Sequence, residues 1–314
     1  MEDQLTLSQQ SMLDEVLEGL TQPQKQLPAK FFYDEHGSEL FEQITYLEAY
    51  YPTRTERAIL SNNIDDIAQK IGAQAMLVEL GSGSSSKTRL LLEKLDSLAV
   101  YVPVDISEEY LLKIVSNLRV EYPKISIIPV FADYTTAFEI PNLGDSYRQQ
   151  VVFFPGSTIG NFRPDVARSF LQTLADITDE DSDMLIGVDL KKDPQVLEKA
   201  YNDEQGITAK FNKNMLVRIN RELDANFDVD RFMHHAFYNE EQSRIEMHLV
   251  SQLDQIVTIA GQDIQFIEGE SIHTENSYKY SLDEFKELVS EWYEVEQVWT
   301  DEQQYFSIQF LTKK

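Results

Sequence analysis

The chain has 314 residues, 42% of them hydrophobic, which is enough apolar material for a large core and one or two domains. Its 54 acidic and 27 basic residues give a formal charge of −27, a surface that repels phosphate backbones and argues against nucleic acid as a partner. It has no cysteine, which excludes disulfides, cysteine nucleophiles and thiolate metal sites. No stretch approaches the ~20 consecutive apolar residues of a membrane span. Residues 1–5 lack the positive flank and apolar run of a signal peptide, so a cytoplasmic setting is expected.

The spacing of Met12, Leu13, Val16, Leu17 and Leu20 predicts an amphipathic helix over 8–20. Residues 21–28, polar and containing two prolines, read as a connection. The aromatic-rich stretch 37–60 contains Tyr50-Tyr51-Pro52-Thr53-Arg54-Thr55-Glu56, where Thr53 or Thr55 is expected to cap a helix running into Ile59 and Leu60. Short apolar runs bounded by turn residues predict buried parallel strands at 75–80, 99–104, 125–131, 151–154 and 184–190, alternating with helices at 87–95, 107–119 and 164–176. Five such units in series suggest a doubly wound sheet. The rhythm breaks at 191–280, with a helical stretch at 194–224 and alternating stretches near 231–251 and 264–273. A helix at 282–291 then precedes strands at 293–300 and 305–311. Five parallel strands closed by a terminal antiparallel pair form the sheet of methyltransferase-type domains. The expected fold is α/β: a Rossmann-like seven-stranded methyltransferase core (56–190 and 281–314) with an inserted α+β substrate-binding lobe (1–55 and 191–280).

The segment Glu79-Leu80-Gly81-Ser82-Gly83-Ser84-Ser85-Ser86-Lys87-Thr88 joins the first strand to a helix. Gly81 and Gly83 permit positive φ and a close approach of ligand to backbone. Ser86 stands where the dinucleotide fingerprint has its third glycine, and the Gly-Lys-Ser/Thr ending of a Walker loop is missing. Glu-x-Gly-x-Gly after a first strand resembles the S-adenosylmethionine-binding motif; an ordinary tight turn is the plainer reading. Asp105 ends the second strand, where a carboxylate can accept both ribose hydroxyls. Its other reading is a helix N-cap, a role also open to Ser107. After the third strand, Asp133 could accept from an adenine amino group while Tyr134 packs on the ring, or both could be turn residues. Three strand-end features along one sheet edge favour the cofactor. The net negative charge is compatible with a sulfonium.

Longer ordered motifs narrow this reading: Phe32-Tyr33-Asp34-Glu35-His36-Gly37-Ser38-Glu39-Leu40-Phe41, the 50–56 run, Phe154-Pro155-Gly156-Ser157-Thr158-Ile159-Gly160-Asn161-Phe162, Ala200-Tyr201-Asn202-Asp203, Ile245-Glu246-Met247 and His273-Thr274-Glu275-Asn276-Ser277. On these the chain resembles the L-histidine N-alpha-methyltransferases of ergothioneine biosynthesis, which convert histidine to hercynine, over nearly its whole length. The resemblance implies that Gly81, Lys87, Asp105, Asp133 and Tyr134 contact S-adenosylmethionine. It implies that Tyr51, Asn161, Tyr201, Glu275 and Ser277 contact histidine, with Tyr33, Gly156 and Met247 lining the site.

The chemistry agrees with those roles. Asn161 and Tyr201 can donate to a carboxylate, Glu275 can accept from an imidazole N–H, and Ser277 can serve the other ring nitrogen. Two residues apart on an extended strand, Glu275 and Ser277 face one side. Tyr33, Tyr51 and Asn161 are the candidates for handling the amine, Tyr33 or Tyr51 by accepting a hydrogen bond or passing its proton. In-line transfer needs nitrogen and methyl carbon ~3–3.5 Å apart and no covalent intermediate.

Taken singly, each residue has a structural alternative. Tyr51 and Tyr201 could be core tyrosines, Asn161 a turn residue, Glu275 a solvated carboxylate and Met247 core filler. Two other functions stay open: N-methylation of another amino acid such as tryptophan, and a non-catalytic S-adenosylmethionine-binding module. No metal is expected, because the adjacent His234 and His235 would point to opposite faces of a strand and show no carboxylate partner spacing. A monomer acting on free L-histidine, with no nucleic-acid or membrane partner, completes the expectation.

Overall fold

A computed structural model describes residues 6–83, 86–95, 97–136 and 138–314. In chain order the strands are β1 (Ala75–Leu80), β2 (Val100–Asp105), β3 (Ser126–Ile127), β4 (Val130–Phe131), β5 (Gln149–Phe154), β6 (Asp183–Asp189), β7 (Phe232–Asn239), β8 (Arg244–Ser251), β9 (Gln255–Ile259), β10 (Gln262–Phe266), β11 (Ser271–Tyr278), β12 (Tyr293–Thr300) and β13 (Phe306–Lys313). The α-helices are α1 (Leu7–Leu20), α2 (Glu35–Thr45), α3 (Tyr51–Asn62), α4 (Ile64–Ile71), α5 (Ser86–Lys94), α6 (Glu108–Glu121), α7 (Pro164–Ile177), α8 (Pro194–Tyr201), α9 (Ile207–Leu223) and α10 (Leu282–Val289). The chain divides into two compact units, one of Met1–Tyr50 with Asp193–Ser277 and one of Tyr51–Lys192 with Tyr278–Lys314.

The second unit is built on one sheet of order β12-β13-β6-β5-β1-β2-β3, with β4 also on β2. β3, β4, β2, β1, β5 and β6 are mutually parallel, and β13 runs antiparallel between β6 and β12. This is the expected α/β methyltransferase order. The anticipated strand at 125–131 is broken into β3 and β4 around Pro129, which has no N–H to give the ladder. Both pieces still pair with β2, so they occupy one strand position. Apolar residues cover both faces of the sheet, as a parallel sheet requires. Met76, Val78 and Leu80 pack with Leu171 and Leu174 of α7 on one side. Ala75 and Leu77 pack with Ile59, Ile67 and Leu91 on the other.

α3 begins at Tyr51, so Thr53 and Thr55 lie inside the helix and do not cap it. Pro52 suits the first helical turn, where its missing N–H is no loss.

The first unit joins α1, α2, α8 and α9 to a three-stranded sheet, β11-β8-β7, and a β9–β10 hairpin. Asp34 caps α2 by accepting from Gly37 N at 2.7 Å. Phe211 of α9 is the aromatic centre, 4.6 Å from Phe32 and 5.8 Å from Phe41 between centroids. The predicted continuous helix over 194–224 is two helices. Gly206 has φ +68°, and the Asp203 carboxylate accepts from Ile207 N and Thr208 N at 2.9 and 2.8 Å, starting a new helix. Among the described residues, no helix is long and apolar enough to cross a membrane.

Candidate active site

Parallel strands bring their carboxyl ends to one edge, and in an open α/β sheet that edge is where ligands bind. On it the second unit places the glycine loop after β1, Asp105 at the end of β2, Asp133-Tyr134 after β4, Gly156 and Asn161 after β5, and Asp189 at the end of β6. Gly81 has φ +71° and Gly83 φ +44°, and Gly81 N donates to the Val104 carbonyl at 2.9 Å, tying the loop to β2. A Cβ on Gly81 would lie 3.4 Å from the Tyr134 hydroxyl, so the tyrosine ring packs directly against the loop. Ser84 and Ser85 of the loop lie outside the described residues.

Asp105 receives Ser107 N at 3.0 Å and Gly83 N at 3.3 Å. It is not the N-cap of α6, which is Ser107 without a side-chain cap bond; it closes the turn just before that helix and fastens the glycine loop as well. Burial pushes the Asp105 carboxyl up, and the backbone N–H groups of Ser107, Gly83 and Ile106 only partly offset this. Asp133 accepts from Thr135 N at 3.0 Å, closing a local turn. Tyr134 stands edge-on to Phe154 and Phe170, at 5.8 and 6.4 Å. Its hydroxyl is pushed up by burial and then by Asp105 and Asp133, so it is a neutral donor. Glycines with positive φ, an acidic strand end and a neutral aromatic beside them suit an adenosyl group with a sulfonium.

Lys87 pairs with Glu56 at 2.5 Å, and Glu56 is fully buried. The same carboxylate accepts from Gly156 N at 2.8 and 3.1 Å. A Cβ on Gly187 in β6 would fall 2.1 Å from Glu56 Oε1, so only glycine leaves room for the carboxylate there. Glu56 thus joins the cofactor-loop helix to the turn after β5. It was not singled out from the sequence. The signal was a charge in phase with the apolar Ile59 and Leu60 on α3.

Glu79 is also buried, with the Tyr101 hydroxyl donating to it. Burial raises its carboxyl to about 7, against the lowering effect of Thr88, Tyr101 and Lys87. A carboxyl raised from 4.5 on folding holds its proton more tightly in the native state, so its contribution to stability falls as pH rises from about 4.5 to 7. Glu79→Gln should flatten that fall by roughly 3 kcal/mol. Urea unfolding at pH 5 and pH 8 measures it, and an identical pH slope in variant and parent would assign the loss elsewhere.

At the end of β6, the buried Asp189 carboxylate accepts from the Tyr51 hydroxyl at 2.7 and 2.8 Å. Lys192 and Lys279 flank it at 2.5 and 2.7 Å. Burial pushes the Asp189 carboxyl up, but the two lysines outweigh it and hold the acid ionised. Burial lowers Lys192 to about 8 despite Asp189. Tyr51 therefore sits 3% exposed with its hydroxyl inside an ionic cluster. None of Asp189, Lys192 and Lys279 was expected from the sequence. Asn161 ends the 3-10 turn Thr158–Asn161, which follows Ser157 at φ 56°.

The remaining predicted residues belong to the first unit. The Tyr201 hydroxyl donates to Ser277 Oγ at 2.9 Å. Glu275 and Ser277 both lie on β11, Glu275 half-buried. Its carbonyl is held by His273 Nε2 at 3.0 Å. Thr274 between them turns to Asn212 of α9 at 2.7 Å. Met247 is 1% exposed, and its carbonyl accepts from Thr274. The Tyr33 ring lies 5.7 Å from Phe211 and 5.9 Å from Phe41.

The fold and its strand-end residues define an S-adenosylmethionine-dependent methyltransferase. The family described as histidine-specific, SAM-dependent methyltransferase matches residues 12–313. The histidine N-alpha-methyltransferase of Mycolicibacterium smegmatis is 43% identical over 272 residues, 85% of this chain and 83% of that protein. Ergothioneine biosynthesis protein 1 of Neurospora crassa is 33% identical over 283 residues, 85% of this chain and 32% of that protein. The 4-dimethylallyltryptophan N-methyltransferase of Claviceps purpurea is 28% identical over 324 residues, 93% and 92% of the two chains. The chain belongs to the histidine-specific, S-adenosylmethionine-dependent methyltransferase family.

Proposed function

We propose that this enzyme methylates the α-amine of L-histidine three times, yielding hercynine for ergothioneine biosynthesis, as a monomer in the cytoplasm. The observation that carries the reading is the 43% identity to a histidine N-alpha-methyltransferase, against 28% to the relative named for a tryptophan derivative. In this reading, 56–190 and 281–314 serve the cofactor, and 1–55 and 191–280 recognise the imidazole.

S-adenosylmethionine supplies an electrophilic methyl group on a sulfonium. Gly81, Asp105, Asp133 and Tyr134 are the proposed contacts to it: the glycine by backbone approach, Asp105 to the ribose hydroxyls, Asp133 and Tyr134 to the adenine. Lys87 is proposed to serve the same ligand while neutralising Glu56. Asn161 donates to the substrate carboxylate, as does Tyr201 once its one hydroxyl proton turns from Ser277 Oγ to the ligand, and Glu275 and Ser277 clamp the two imidazole nitrogens. Gly156 and Met247 shape the space. The amine must arrive unprotonated and aligned, and successive transfers require that no fixed donor occupy its lone pair. Tyr51, whose hydroxyl donates to Asp189 and accepts from Lys192 Nζ at 2.7 Å, is the first hydroxyl assigned to the amine; Tyr33 is the second.

Purified protein incubated with histidine and S-adenosylmethionine should accumulate mono-, di- and trimethylhistidine by mass spectrometry, and tryptophan in the same assay should remain unmodified. A chain that binds the cofactor yet methylates neither amino acid would defeat the proposal.

A further inference from the structure

The three-stranded sheet of the first unit carries a cluster that the proposed methyl transfer does not use. Glu246 and His248 are two apart on β8, so they share a face, and His273 comes from the neighbouring β11. One ligand-capable atom from each of the three lies within 4.8 Å of the others. The His248 and His273 rings are stacked at 4.7 Å and 10°. Phe237 covers the other face of His248 at 5.4 Å. The adjacent pair His234-His235 gave no reason to expect this, because the cluster is assembled across strands rather than along one.

We propose that Glu246, His248 and His273 bind one divalent transition-metal ion of the zinc type. Two imidazoles and a carboxylate are a donor set suited to such an ion, with a fourth position open to water. The ring nitrogens are already sorted. His273 Nε2 sits 3.0 Å from the Glu275 carbonyl, which can only accept, so the proton is on Nε2 and a neutral ring keeps its lone pair on Nδ1. His248 Nδ1 lies 3.1 Å from the Ser271 hydroxyl, which can accept as well as donate. A proton now shared by His248 Nε2 with Glu246 Oε2, 3.0 Å away, can therefore be replaced by one on Nδ1 without leaving the ring charged. Such outer hydrogen bonds orient imidazole ligands in metal sites.

Burial lowers His273 to about 4, with His248 adding to the effect, and His248 is lowered by burial too. Burial raises Glu246, but hydrogen bonds from His248, Arg244 and Asn239 bring it down to about 2. The donor set is one carboxylate and two imidazoles. Arg244 occupies Glu246 Oε1 at 2.7–2.8 Å, which leaves Oε2 as the ligand oxygen and tempers the affinity. Bonds of ~2.0–2.1 Å to nitrogen place ligand atoms ~3.4 Å apart, against up to 4.8 Å here, and a metal must lie in the plane of each ring, so binding requires His248 and His273 to turn out of their stack as well as to close.

Metal-stripped full-length protein should be titrated with zinc chloride by calorimetry and with cobalt(II) by visible absorption. One ion per chain with a tetrahedral cobalt spectrum is expected. His273→Ala and His248→Ala should each weaken binding at least ~10-fold, whereas His36→Ala should not. Glu246→Gln preserves the side-chain shape and should give a similar loss; circular dichroism confirms that each variant is folded. Binding without a fixed stoichiometry, affinity unchanged in the His248 and His273 variants, or saturation by magnesium alone would overturn the proposal.

Discussion

Replacing Glu275 by alanine is expected to lower kcat/KM for histidine ~30- to 150-fold while leaving the Kd for S-adenosylmethionine within about twofold. The proposed carboxylate–imidazole hydrogen bond is charge-assisted, and removing such a partner costs about 2–3 kcal/mol. The substitution leaves in place the Glu275 carbonyl, which accepts from His273 Nε2 at 3.0 Å. Glu275→Gln retains an acceptor without the charge and should lose less. If the clamp acts equally in ground and transition states, KM rises and kcat is unchanged. Steady-state kinetics on both variants, with calorimetry for the cofactor, separate these cases. A histidine KM equal to the parent's in the alanine variant would remove Glu275 from the substrate site.

Glu56→Ala should be the most damaging change to stability, lowering it by about 3–5 kcal/mol. The cost comes from what remains: Lys87 loses its carboxylate at 2.5 Å and Gly156 N loses its acceptor, both in a low-dielectric interior. Glu56→Gln keeps an acceptor for Gly156 N and should be milder. Urea unfolding gives the stability directly, and the denaturation midpoint should fall with little change in the m-value. Lys87→Met in the Glu56→Ala background should recover part of the loss, because it removes the stranded charge. No recovery would mean that the ammonium was never the cause.

Local features of the molecule were legible in the sequence. β1 and β12 occupy the residues expected of them, since an apolar run closed by glycine or an alternating run closed by a polar turn leaves little choice of boundary. The strand-end residues Gly81, Asp105 and Asp133 were visible because a parallel sheet turns sequence position into spatial position. Where the expectation failed, a short-range competitor was at work: Pro129 interrupting a strand, Asp203 and Gly206 restarting a helix, Tyr51 beginning a helix ahead of both threonines expected to cap it. The ionic centres were hidden for another reason. Glu56 meets the Gly156 amide 100 residues away, and Asp189 meets Tyr51 138 residues away. Such pairings depend on strand register and helix phase together, and no local spacing encodes them. The Glu246–His248–His273 cluster escaped notice in the same way.

The turn that carries Asn161 has a neighbour that limits what evolution or design can do with it. A Cβ on Gly160 would lie 2.7 Å from the Tyr278 carbonyl, a contact of backbone on backbone. No rotamer change can relieve it, so the turn cannot be loosened one side chain at a time. Any change in the preferred amino acid is then expected to come from positions outside this turn, which Gly160 holds fixed against the Tyr278 backbone.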